Sequence, residues 1–407
     1  MSRSFDTTSY SLTDHLVKRT VQSLSRLIGV KNVTRPLWNR WRASLIGDEA
    51  IMNFLKGIRS IDDWERCAIE LVAAEENEYR ASDSTLTDAD RILALHRLSY
   101  LCIMGQWGVI PMSPGKIELY SKSRDYYIEA ETLANGALYR RVAIPWENKS
   151  CYGNLHLPKS GKGPFPLVII VHGMDDSKEE HLATELKLQE QGFAVFCFDA
   201  PGQSESLLLE GLNWPRNFHD SISSAIDTLS DGYNCDPQRI GVVGISWAGM
   251  WVYKAAMTDN RIKALYDLGG PIHADDFHRI PYFLKTRFCQ ALGIEKPTTV
   301  PELGTFFTIK DEAHLDKVRC PVRIIHGGKD PFVSLDDKQW LQSKLQTLHP
   351  DQEVSMLVFP EGDHCCTGNG EEMRQDAIEF FCRVLVSDAS DNSFLENQGS
   401  PLNIDTR

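Results

Sequence analysis

The chain contains no apolar run near the ~18 residues that a membrane-spanning helix needs. Its first thirteen residues are polar and hold no hydrophobic stretch of the kind that leads a secreted protein. Both absences predict a cytoplasmic protein. The ten cysteines are scattered, and none forms a Cys-x-x-Cys pair. That spacing argues against a disulfide framework and predicts reduced, packed thiols. Basic clusters are missing too, and the formal net charge is −13, which argues against nucleic acid or an anionic membrane as partner. Gly241, Gly244 and Gly249 do not make the Gly-x-Gly-x-x-Gly of a dinucleotide loop, and no Gly-Lys-Ser/Thr follows a glycine loop. No His-Glu-x-x-His or other Cys/His ligand spacing occurs. No cofactor and no metal is therefore expected. A small molecule is the expected partner, and a homodimer stays open.

What is present is enough apolar sequence, 42%, for a full core. At 407 residues the chain is long enough for two or three domains, or for one large domain with an insertion. Residues 1–115 read as helices. Leu16, Val17, Val21, Leu24, Leu27 and Ile28 recur at helical spacing behind Thr13-Asp14, a candidate N-cap, and Thr87-Asp88-Ala89-Asp90 caps a later helix. Pro111 and Pro114 end that helix, and Lys116–Leu133 fits one more. The period then changes to two. Ala137–Ile144 and Cys151–Leu157 flank the polar turn Glu147-Asn148-Lys149-Ser150 and predict an antiparallel hairpin. Buried strands at Leu167–Val171, Ala194–Asp199, Ile240–Val243, Ala264–Leu268, Val322–His326 and Val354–Phe359 alternate with helices at Ser177–Gln191, Asn217–Leu229 and Met373–Val386. Such alternation predicts an α/β fold with a mostly parallel, doubly wound sheet. The interval from Gly269 to Val318 is too long for one connection and predicts extra helices, and Ser387–Arg407 reads as a disordered polar tail.

The stretch with the most chemical content is Ile240–Ala256. A short apolar strand runs into Gly244-Ile245-Ser246-Trp247-Ala248-Gly249 and then into a helix, the context of a nucleophile elbow. An elbow needs small residues where strand and helix nearly touch. Gly244, Ala248 and Gly249 supply them, although Ala248 stands where the Gly-x-Ser-x-Gly pattern has its second glycine. A serine hydroxyl needs a base, and the base an orienting acid. Asp330, in the turn after the strand Val322–His326, and His364, in the turn after Val354–Phe359, complete the order Ser, Asp, His at three strand ends. Taken singly, Asp330 could merely close a turn and His364 could be an ordinary loop histidine. The backbone N–H groups of Trp247 and Met174 are the candidate oxyanion donors. Gly173 lets the backbone come close to the substrate, and His172 is expected to pack beneath the site. Ser177 and Glu180 match a capping box; Glu179 or Glu180 could also brace the site. Asp199-Ala200-Pro201-Gly202-Gln203-Ser204 reads as a scaffolding turn. Cys365-Cys366, beside the candidate base, could sense oxidation, though packing is the reading preferred.

Gly244–Gly249, Asp330 and His364 are similar to the α/β-hydrolase superfamily. The helical segment ahead of the sheet, with His172-Gly173-Met174 and Asp199–Ser204, narrows the resemblance. It points to the group holding the fermentation–respiration switch protein, 2,6-dihydroxypseudooxynicotine hydrolase and the fungal yellowish-green-type heptaketide hydrolases. The resemblance spans about residues 10–385 and implies an α/β-hydrolase fold. Residues 1–133 would form an N-terminal helical cap, 134–387 the catalytic domain with a helical insertion at about 270–317, and 388–407 a tail. It also implies cleavage of a carbon–carbon bond beside a ketone in a polyketide-like molecule. An ester or lactone hydrolase, or an acyl transferase or cyclase, would use the same triad, and a non-catalytic regulatory binding protein is the alternative of another class. An enolate leaving group needs a nearby donor, and the insertion offers His273, His278 and Tyr282 as substrate-binding candidates. Its other polar residues, Lys285 and Arg287 among them, are expected mostly on solvated helices.

Overall fold

The runs richest in Val, Ile and Phe become the middle of one eight-stranded sheet. In this computed structural model, which describes residues 11–42, 47–110, 112–273, 282–294, 307–310 and 312–386, the strands are β1 (Tyr139–Trp146), β2 (Lys149–His156), β3 (Phe165–Val171), β4 (Ala194–Asp199), β5 (Cys235–Ile245), β6 (Ile262–Leu268), β7 (Val322–Gly327) and β8 (Val354–Phe359). Their order is β1-β2-β4-β3-β5-β6-β7-β8. β1 and β2 pair antiparallel, β2 joins β4 antiparallel, and all pairs from β4 to β8 are parallel. Helices cover both faces, so β3 and β4 are apolar along almost their whole length instead of alternating. This is the mostly parallel α/β-hydrolase architecture expected.

Several boundaries differ from the sequence reading, each for a local reason. The hairpin turn is two residues, Glu147-Asn148, because Trp146 already pairs with Lys149; Glu147 takes φ +51° to close it. Ser11, not Thr13, caps the first helix (Leu12–Ile28), with Asp14 returning the bond to the Ser11 N–H. The expected helix at 177–191 is split. Ser177 and Glu180 do form a capping box, but around a single 3₁₀ turn, Lys178–Glu180, and the α-helix runs from Leu182 to Glu190. Thr87 caps Asp88–Gly108 as expected. The stretch assigned to a polar tail lies outside the described residues.

Ahead of the sheet stand the helices Leu12–Ile28, Trp38–Arg42, Asp48–Gly57, Trp64–Ser82, Asp88–Gly108 and Pro114–Asn135. They have a core of their own around Trp41, Phe54, Leu55, Trp64, Leu101 and Leu119, which makes them a unit packed onto the sheet. Leu16, Leu24, Leu27 and Ile28, whose spacing predicts the first helix, stay exposed, while Val21 faces a cavity between the helical unit and the sheet. Among the described residues no helix is long and apolar enough to cross a membrane.

Candidate active site

Parallel strands deliver the turns after β5, β7 and β8 to one edge of the sheet, and the three candidate residues occupy those turns. Between β5 and the helix Ala248–Thr258, Ser246 holds φ +52°, the left-handed backbone region that a non-glycine residue occupies only under constraint from its surroundings. The constraint is visible. The Ser246 N–H donates to the Leu268 carbonyl at 2.8 Å, and its own carbonyl accepts from Gly249 at 2.8 Å. A Cβ on Gly244 would lie 2.7 Å from the Gly249 Cα, and one on Gly249 would lie 2.5 Å from the Gly270 Cα, so neither position admits a side chain. Ala248 is the first residue of the helix and is buried there. The tight crossing falls on Gly244 and Gly249, which explains why alanine is accommodated at the position between.

The Ser246 Oγ lies 2.8 Å from the His364 Nε2, and the His364 Nδ1 lies 2.8 Å from the Asp330 Oδ2. An ionised carboxylate can only accept, so Nδ1 carries the proton and Nε2 is left to accept from the serine hydroxyl. The other carboxylate oxygen of Asp330 accepts from the Phe332 and Val333 N–H groups at 2.8 and 3.0 Å. Burial raises the proton affinity of Asp330, but the bond from His364 and these two N–H groups bring it below the usual aspartate value. Burial disfavours the His364 imidazolium, yet the adjoining Cys365 sulfur and the Asp330 carboxylate together hold its pKa well above the ordinary histidine value. His364 opens a tight turn in which Cys365 and Cys366 both take positive φ, +57° and +49°. Both thiols are buried, and burial pushes Cys366 up to about 12, so neither has the exposed, low-pKa character of a redox sensor.

The loop Gly173–Asp176 passes beside the elbow: a Cβ on Gly173 would come 3.2 Å from the Ser246 Cβ. Met174 and Trp247 line the same cavity as Ser246 and His364. His172 packs beneath, fully buried, with Nε2 2.7 Å from the Asp199 Oδ1 and Nδ1 2.9 Å from the Gly173 carbonyl. That carboxylate partner makes it part of the loop's support. The cavity has a volume of about 560 Å³, within the range of sites for drug-sized molecules. Its wall is largely apolar and aromatic, with Trp64, Trp107, Phe283, Phe288 and Phe332 beside Trp247.

Of the three insertion candidates, His273 and Tyr282 line this cavity, and the His273 Nε2 lies 3.2 Å from the Asp337 Oδ2. His278 lies outside the described residues. The expectation that Lys285 and Arg287 are solvated is overturned. Both are buried on the helix Tyr282–Ala291, where Lys285 reaches the Asp14 carboxylate at 3.1 Å and Arg287 reaches the Asp175 carboxylate and the Trp107 carbonyl. Each finds its partner in another part of the chain, and that partner offsets the burial of charge. Two residues that the sequence did not single out emerge here, Asp175, the partner of Arg287, and Arg40, which pairs with Asp175 at 3.2 Å; nothing in their local sequence marks them. Among the described residues no cluster of three or more His, Cys, Asp or Glu could hold a metal ion.

The model of the "Alpha/beta hydrolase family" matches residues 168–375, half of the chain. The chain is 27% identical over 279 residues to 2,6-dihydropseudooxynicotine hydrolase of Paenarthrobacter nicotinovorans, covering 67% of this chain and 70% of that protein. It is 31% identical over 243 residues to 20-hydroxy-prefusarin hydrolase of Gibberella moniliformis, covering 49% of this chain and 57% of that one. The crystal structure of a 2,6-dihydroxy-pseudo-oxynicotine hydrolase shares the fold, with a TM-score of 0.73 at 21% identity over 86% of this chain and 96% of that chain. The chain belongs to the alpha/beta hydrolase family, is similar within it to 2,6-dihydropseudooxynicotine hydrolase and 20-hydroxy-prefusarin hydrolase, and is itself a hydrolase.

Proposed function

We propose that this hydrolase acts through Ser246, His364 and Asp330 and cleaves a carbon–carbon bond beside a ketone in a polyketide-like molecule. The observation that carries the reading is the pair of 2.8 Å contacts linking the three side chains at the wall of a largely apolar cavity. The names of the relatives support the substrate class, since one acts on a pseudooxynicotine and another on a prefusarin.

In this mechanism the Ser246 Oγ attacks the ketone carbon while His364 takes the hydroxyl proton, with Asp330 holding the imidazole in place. The backbone N–H groups of Trp247 and Met174 receive the oxyanion. Collapse of the tetrahedral adduct breaks the carbon–carbon bond and expels an enolate, which is protonated to the shortened ketone. Water, deprotonated by His364, then splits the acyl-serine, releasing a carboxylic acid and restoring the serine. The enolate's charge sits on the oxygen of a second carbonyl, so a donor is required there that an alkoxide leaving group would not need. Tyr282 and His273, the latter backed by Asp337, are our candidates for it.

The test offers a 1,3-diketone and an aryl ester with the same acyl group to the wild type, Tyr282→Phe and His273→Asn. Losses confined to the diketone support carbon–carbon cleavage. Rapid ester turnover with no diketone cleavage would assign an ester hydrolase on the same triad.

A further inference from the structure

The candidate oxyanion loop is held by side chains from three helices, two of them cationic. The Asp175 carboxylate, next in sequence to Met174, accepts from the Trp107 indole N–H at 3.0 Å, pairs with Arg40 at 3.2 Å and takes a closer bond from Arg287. Arg40 also donates to the Asp175 carbonyl at 2.9 Å, and it pairs with Asp176 at 2.7 Å and Glu180 at 3.2 Å. Asp176 in turn accepts from the Gly173 N–H at 3.2 Å, and its carbonyl accepts from the Ser204 hydroxyl at 2.6 Å. Arg40 and Trp107 belong to two helices of the N-terminal unit, and Arg287 to the insertion helix. Burial raises the proton affinity of Asp175, but Arg40 and Arg287 overcome that and keep it ionised far below the usual range. A general seal between cap and core could place its ion pairs anywhere along the seam. These converge on the residue following the candidate donor, at the rim of the cavity that holds Ser246.

We propose that Asp175 is a positioning residue: it ties the Met174 N–H to the N-terminal helices and the insertion helix, so the second oxyanion donor is in place only when both are seated on the sheet. The proposal rests on the Ser246 reading above. It assigns Arg287, which does not line the cavity, a role in turnover through the carboxylate and the loop, and it gives Arg40 and Trp107 that role in addition to their place in the cavity wall. Binding energy that a large substrate gains from the helical roof would thereby reach the oxyanion site, the step at which it raises turnover.

The experiment uses the full chain, the aryl ester as substrate and a fluorophosphonate as probe of Ser246, in Asp175→Asn, Trp107→Phe, the double variant and Ser246→Ala. Outright removal of an oxyanion donor costs about 10²–10³ in kcat, so displacing one in Asp175→Asn is expected to cost about 10- to 100-fold in kcat and in labelling rate. KM should stay within about threefold, because an interaction made chiefly in the transition state lowers kcat and kcat/KM together. Trp107→Phe, which deletes a single N–H donor, should lose less. The double variant should fall short of the product of the two losses, because both act through one carboxylate. Unchanged kcat and labelling in both single variants, or a change in KM alone, would overturn the proposal, as would losses that multiply independently. Should Asp175→Asn not fold, Trp107→Phe decides through the split between constants: a fall in kcat and labelling at unchanged KM supports the proposal, whereas a rise in KM alone marks a lost wall contact and overturns it. Labelling that persists in Ser246→Ala would instead sink the nucleophile reading. Labelling lost there but untouched in the two single variants would remove only the positioning role.

Discussion

The seam between the N-terminal helices and the sheet has two unlike ends. At one, charge is buried completely. Lys178 lies 2.9 Å from the Tyr120 hydroxyl, 2.9 Å from Asp199, 2.8 Å from Glu205 and 2.7 Å from Glu179, while Arg124 and Arg141 also reach Glu205. A few turns along the helix Pro114–Asn135, Glu131 meets His156 of β2 at 2.7 Å, and Glu185 completes the group at 2.8 Å. At the other end the same helical unit and the sheet part to enclose the cavity, whose walls are largely aromatic and aliphatic and whose charge is confined mainly to the Arg40–Asp175–Arg287 cluster at the rim. The difference teaches how the labour is divided. Buried ion pairs are directional and fix one relative placement at a desolvation cost, whereas an apolar wall is tolerant of a substrate's shape and strengthens the electrostatics of the few polar groups facing it. The charged end holds the roof; the apolar end leaves room for chemistry.

The largest expected effect separates the two ends cleanly. Ser246→Ala should lower kcat by about 10³–10⁶, the range for loss of a triad member, with an unaltered melting temperature because no ion pair of the seam is touched. A variant that keeps most of its activity would end the triad reading. Next comes Lys178→Met, which takes the shared ammonium from three buried carboxylates and leaves Glu179 without its cation. Breaking a buried pair by removing one partner costs about 3–5 kcal/mol, to be read as a lowered urea midpoint, with a smaller loss in kcat per folded molecule. A loss of kcat at unchanged stability would erase the distinction between the two ends.

A smaller effect sharpens the comparison through pH. Burial lowers the proton affinity of His156, but Glu131 and Glu185 raise its pKa to about 9. A raised histidine contributes stability that is fully present below the ordinary value of 6.5 and lost as pH rises through about 9. The difference in melting temperature between the wild type and His156→Gln should therefore shrink across that window. Glu131 is the opposite case: its carboxylate is held at about 2, so its contribution is present above the ordinary 4.5 and lost as the pH falls through about 2. A difference that stays flat from pH 6.5 to 9 would mean that His156 is neutral in the seam. The smallest effect belongs to the cavity. Because His364 must be neutral to act as base and its pKa is raised, the acid limb of kcat/KM should lie above the ordinary histidine value of 6.5. A limb below that value would show that burial of the imidazolium outweighs the neighbours that favour it, Cys365 and Asp330.

Much of this was legible before any coordinates. Ser246, Asp330 and His364 could be found because each follows a short apolar strand, and a parallel sheet necessarily brings the ends of such strands to one edge. The small residues at Gly244 and Gly249 were readable for the same local reason, since a strand-to-helix reversal within a few residues leaves no space for side chains. What went wrong was also local. Glu147-Asn148 closes a two-residue turn where four polar residues suggested a longer one, because pairing continues until backbone geometry stops it, whatever the polarity of the side chains. Burial of Lys285 and Arg287 departs from the expectation for most of the insertion's polar residues, because charge usually marks a surface and the exception requires a partner that sequence does not point to.

By itself, then, the sequence determined the alternating architecture, the elbow and the order of the three candidate residues, all products of short-range periodicity and of which strands a turn must follow. Only the tertiary structure decided that the cavity is walled by Trp107, Phe283, Phe288 and Phe332, that the roof is held by Lys178 and His156, and that the loop Gly173–Asp176 is paired with distant cations. Arg40 and Asp175 are 135 residues apart, and Arg287 and Asp175 are 112 apart. An ion pair closed over such a span leaves no period, cap or turn signal in the chain; it exists because the packing of two units removes water from both charges and leaves each the other as its remaining partner.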